Sequence, residues 1–137
     1  ENPIRVKAIA KLNDHGADIS TSGLIDFGNH KRATFDISFE CTRRSEFEAF
    51  GPLGRVKCPN VWQPEDKQAK IIINTESSGL KEEVVPAANH FILEVNHFNK
   101  VISSDAPLKL TTEDALCNVK TLECIQESIE KDSWVHL

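Results

Sequence analysis

The sequence predicts a mainly β domain: an immunoglobulin-like β-sandwich closed by one amphipathic helix near the C-terminus. Three observations lead there. Residues 32–41 alternate strictly, with Ala33, Phe35, Ile37, Phe39 and Cys41 on one side and Thr34, Asp36, Ser38 and Glu40 on the other, the period of a strand with one buried face. Further short apolar segments recur over the first 110 residues with turn formers between them, the spacing of a sandwich. Residues 112–131 then switch to helical periodicity. An α+β arrangement, an antiparallel sheet with one helix packed on it, is the alternative. Either way the chain reads as a single domain over residues 1–137, a β-rich body over about 4–110 and a helix over about 112–131.

Taken in order, residues 4–12 alternate as Ile4, Val6, Ala8, Ala10 and Leu12 against Arg5, Lys7 and Lys11. Asn13-Asp14-His15-Gly16 supplies residues that accept left-handed backbone, so a turn follows. Residues 17–22 read as the returning arm of a hairpin. Further strands are expected at 24–27, 55–58, 69–74 and 90–95, each rich in β-branched or aromatic residues, with weaker candidates at 82–85, 100–102 and 108–110. Residues 43–50 suggest a short helical turn stopped by Gly51-Pro52, and 59–67, with two prolines and Trp62, a surface loop. The tail opens with Thr111 three residues before Asp114, the spacing of a capping box. On its helix Ala115, Val119, Leu122, Ile125 and Ile129 form one stripe, expected to cover an apolar face of the body.

Composition fits a globular chain: 137 residues, 39% hydrophobic and 27% charged, long enough to bury a core without metals or disulfides. The charge of −5 is uneven. Residues 1–68 carry ten basic and ten acidic side chains, whereas 69–137 carry six and eleven. That acidic half disfavours nucleic acid and anionic membrane as partners, and no apolar run is long enough to insert in a bilayer. The chain opens at Glu1 rather than methionine, which reads as a processed chain or an excised piece.

Four cysteines are present. Cys41 and Cys58 fall on the inward faces of two expected strands and are a candidate disulfide, with two reduced, buried thiols as the alternative. Cys117 and Cys124 stand about 10 Å apart along an intact helix, too far to bridge one another, and lie opposite the apolar stripe. No metal site is expected, because the cysteines lack a CxxC pair and histidines at ligand spacing. His90 and His97, on a strand, would point to opposite faces. No nucleophile elbow, glycine-rich phosphate loop or HExxH occurs, so no catalytic residue and no cofactor are assigned.

The basic residues Arg43, Arg44, Arg55 and Lys57, with Trp62, form the candidate partner-binding set: a cationic patch with an aromatic anchor suited to an acidic protein. The segment Leu24-Ile25-Asp26-Phe27-Gly28 is similar, over five residues, to the opening of immunoglobulin-like domains of the major-sperm-protein type. Its spacing to the next strand is shorter than in that pattern, and the chain is not assigned there. The function expected is a non-enzymatic protein-binding module, one domain of a larger extracellular or scaffold protein; even cysteine usage tips the compartment toward secretion. The alternative is a small enzyme whose site short motifs do not reveal.

Overall fold

A computed structural model describes residues 2–62 and 67–137. Positions 63–66 of the expected 59–67 loop lie outside the described residues. In chain order the elements are β1 (Arg5–Leu12), β2 (Asp18–Gly28), β3 (Lys31–Ser38), β4 (Phe47–Gly51), β5 (Gly54–Cys58), β6 (Ala69–Thr75), β7 (Gly79–Val85), α1 (His90–Ile102), α2 (Thr112–Lys131) and β8 (Val135–His136). They divide into two units. One comprises residues 1–41 and 109–137; the other, residues 42–108.

The first unit is an antiparallel sheet in the order β3-β2-β1-β8 with α2 on one face. Alternation in β1 does what the sequence pattern requires: Val6 and Ala8 are buried, and Arg5 and Lys7 face the other way. Val6, Cys124 and Val135 form the core, with Ile25, Ile125 and Leu137 packed around them. β2 is one long strand, not two. Its midpoint is Gly23, paired with Phe35, and a Cβ there would stand 2.4 Å from the Phe35 ring. The glycine thus lets the ring lie across the strand.

The helix α2 occupies the expected residues, and its start is as expected. Thr111 Oγ1 accepts from the Asp114 N–H at 3.1 Å, and Asp114 Oδ2 accepts from the Thr111 N–H at 3.0 Å. That backbone N–H, and then the Thr111 hydroxyl, hold the Asp114 carboxyl below its usual pKa. The box is therefore complete above the ordinary carboxylate range and weakens as pH falls through the lowered value. Thr111→Ala is expected to destabilise the chain by about 1 kcal/mol, measured by urea denaturation.

Its packed face is not the expected one. Thr121, Cys124 and Ser128 are buried and Cys117 half-buried, whereas Val119 and Leu122 are 53% and 58% exposed. Small side chains let the helix approach β1 closely. Closeness is needed because Ser128 Oγ accepts the Ala8 N–H at 3.0 Å, beyond the short β8, while donating to the Ser133 carbonyl at 2.6 Å. The helix ends at Asp132, in left-handed conformation, whose carboxylate pairs with Lys7.

The second unit is the antiparallel sheet β4-β5-β6-β7 together with α1. None of its described residues is buried, and Phe47, Phe50, Leu80, Phe91, Phe98 and Ile102 are each more than half exposed. The sheet turns at Gly54, whose φ is 143° and where a Cβ would stand 2.3 Å from the Asn74 carbonyl oxygen, so there is no room for a side chain. In place of the expected helical turn at 43–50, residues 43–46 have no regular structure and 47–50 belong to β4, and the expected strand at 90–95 is part of α1. Its N-cap is Asn89, whose side chain accepts from the Ile92 N–H at 3.1 Å.

These observations overturn the immunoglobulin-like sandwich. A sandwich shares one interior between two sheets; here the inner face of the first sheet is taken by α2, and the second sheet buries no described side chain on either face. The alternative, one antiparallel sheet with one packed helix, is corrected as well, because the described residues form two antiparallel sheets and two helices. The segment 24–28 is the end of a long strand, not the opening of a domain. The expected disulfide is also corrected, since all four cysteines are free. β3 ends at Ser38, so Cys41 lies exposed in the following loop, while Cys58 ends β5.

Candidate functional site

Among the described residues there are two concave surfaces of note, one in each unit. In the first unit the sheet face away from α2 carries a cross-strand row: Arg5 of β1 opposite Asp26 of β2, and Asp26 opposite Arg32 of β3. Neighbours in such a row stand about 5 Å apart at Cβ. Arg5 Nε donates to Asp26 Oδ2 at 2.9 Å, and the Gly28 N–H donates to Asp26 Oδ1 at 2.9 Å. The Gly28 N–H, and then Arg5, hold the Asp26 carboxyl below its ordinary value. The Arg5 guanidinium also lies over the Trp134 indole, 4.6 Å from the ring centre, a cation–π contact. The β2–β3 turn runs through Asn29 and His30, both left-handed. With Lys31, these groups wall a groove of about 360 Å³.

In the second unit Arg43, Arg44, Ser45, Pro59 and Asn60 surround a hollow of about 350 Å³. Ser45 holds it together: its Oγ donates to the Trp62 carbonyl at 3.0 Å and accepts the Trp62 N–H at 2.9 Å, and its carbonyl accepts the Val61 N–H. The structure therefore brings Arg43, Arg44 and the 67%-exposed Trp62 to one end of the sheet. Arg55 and Lys57 go elsewhere. They point to one face of β5, where Glu48 and Glu46 neutralise them at 3.5 and 2.9 Å. Lys57, donating to Glu46, lowers the Glu46 pKa and has its own raised.

The sequence reading missed the first groove. Its residues are spread over four segments, and only the strand register aligns Arg5, Asp26 and Arg32. Trp134 carried no signal because β8 was not expected. No group of three metal-ligating side chains occurs among the described residues. His90 and His97 share a helix rather than a strand, and His97 Nε2 is enclosed without a hydrogen-bond partner.

No family model matches the chain. It is 28% identical over 138 residues, 96% of its length, to an uncharacterised oxidoreductase, ORF334, of Rhizobium meliloti. Its fold superimposes over the whole chain on an aldose-aldose oxidoreductase from Caulobacter crescentus, solved with glycerol, at a TM-score of 0.81 and 16% identity. It superimposes over 90% of its length on KijD10, a 3-ketoreductase from Actinomadura kijaniata solved with NADP and TDP-benzene, at 0.77 and 18% identity. The chain spans 41%, 42% and 40% of those three proteins, respectively. These similarities overturn the expectation of a non-enzymatic interaction module and favour the alternative reading, a small enzyme whose site short motifs do not reveal. The fold of this chain is one found within oxidoreductases.

Proposed function

We propose that this chain is the antiparallel-sheet portion of a longer nicotinamide-dependent oxidoreductase of the Gfo/Idh/MocA type that acts on sugars or sugar-like carbonyl compounds. The observation that carries this reading is the end-to-end likeness to the aldose-aldose oxidoreductase, with NADP in the 3-ketoreductase as additional support.

The residues present do not fit the nicotinamide nucleotide by themselves. Dinucleotide binding of that kind uses parallel strands, a crossover helix and a glycine-rich turn at the helix N-terminus. Every strand pairing among the described residues is antiparallel, and the sequence has no GxGxxG. Nucleotide binding is therefore assigned to the larger part of such an enzyme that this chain does not match, and no chemical step is routed through these residues.

The reading is tested with the 137-residue chain and with a longer polypeptide that carries it. The chain alone is expected to leave NADPH fluorescence unchanged. The longer polypeptide is expected to bind NADPH and consume it when a ketosugar is added. A folded longer polypeptide that neither binds nor consumes NADPH would sink the proposal.

A further inference from the structure

We propose that the groove of the first unit is an oxyanion site that takes the phosphate group of a small phosphorylated molecule. The argument starts from Asp26. Both of its oxygens are engaged, one by Arg5 Nε and one by the Gly28 N–H. Arg32, directly across the strand from it, has no ion-pair partner among the described residues. Two guanidinium groups thus flank one committed carboxylate on a single row, with His30 and Lys31 lining the same groove, in a chain whose net charge is −5.

Arg5 is held in place before any ligand arrives. Asp26 fixes its Nε edge and Trp134 covers its flat face, so the remaining N–H groups are presented with little rotamer freedom left to lose. Asp26 takes only the Nε edge of Arg5, so the terminal N–H groups of Arg5 together with Arg32 offer more donors than one planar carboxylate accepts, and the three oxygens of a phosphate match them better. That favours phosphate over carboxylate. A volume of about 360 Å³ exceeds a phosphate ion and leaves space for a sugar-sized group beside Trp134.

The test does not depend on oxidoreductase activity. The chain has two tryptophans; Trp62→Phe leaves Trp134 as the only one reporting. Inorganic phosphate, ribose 5-phosphate and acetate are titrated separately at ionic strength fixed with sodium chloride. A saturable change in Trp134 emission is expected for both phosphates, tighter for the ester. Arg32→Gln is expected to weaken both by about tenfold, as loss of a charge-assisted hydrogen bond does, with an unchanged thermal midpoint. Phosphorus NMR line-broadening of inorganic phosphate, lost in Arg32→Gln, gives the same answer without fluorescence. A response no larger than chloride alone produces, an equal response to acetate, or unaltered binding by a folded Arg32→Gln chain overturns the proposal.

Discussion

Gly54→Ala is expected to disrupt the β4–β5–β6 sheet, at a cost on the order of 3 kcal/mol or more. Two effects add. The residue sits at a φ of 143°, which L side chains rarely adopt, and its Cβ would stand 2.3 Å from the Asn74 carbonyl and 3.0 Å from Thr75 Cα. Both obstacles are backbone, so no rotamer change relieves them. The position also joins two pairings, with Gly51 in β4 and Thr75 in β6. Gly51→Ala is the control, because a Cβ there meets nothing within 4 Å. Amide NMR should show the resonances of β4, β5 and β6 lost or displaced in the first variant and retained in the second. A Gly54→Ala spectrum that overlays the parent would refute this account of the hairpin.

Ser128→Ala is expected to destabilise the chain by roughly 3 kcal/mol, a large effect for the loss of one oxygen. Ser128 is fully buried, and its hydroxyl serves the Ala8 N–H and the Ser133 carbonyl together. Alanine leaves both backbone groups without partners in a space closed to water. Leu122→Ala, on the apolar stripe that the sequence singles out, is expected to cost far less, because that side chain is 58% exposed. Urea midpoints of the two variants decide between the faces. The reverse order would mean that α2 sits on its apolar stripe after all. Since Ser133 precedes Trp134, loss of this anchor is also expected to loosen the wall of the Arg5–Arg32 groove.

Local pattern was legible where one residue's environment repeated at a fixed period. β1 and β3 follow from alternation, β5 and β6 from β-branched residues between turn formers, and α2 with its capping box from Thr111 and Asp114. What failed was anything set by a distant partner. Gly23 looks like a strand break but is a seat for Phe35 across the ladder. The run from Phe91 to Val95 is dense enough to read as a strand, whereas Phe91, Val95, Phe98 and Ile102 also fit a helical stripe, and Asn89 starts a helix. The face of α2 was misplaced because hydrophobicity marks what seeks cover, while close packing on β1 selects for small residues. Of the candidate binding residues, Arg43, Arg44 and Trp62 converge through Ser45, a hydrogen-bond hub that no spacing rule reveals. Arg55 and Lys57 are separated from them by the facing glutamates.

The outer strand of the second sheet bears on solubility. β7 ends that sheet, with no strand paired to its outer side among the described residues, and Leu80, Val84 and Val85 are exposed on it. Such an edge is a template for chain-to-chain pairing. Its centre, however, is Lys81-Glu82-Glu83, with Glu82 tied to Lys70 at 3.1 Å and Glu83 to Lys81 at 2.5 Å. An incoming strand would have to bury that run of charge, which makes these three residues gatekeepers against aggregation. These three residues take no part in either groove.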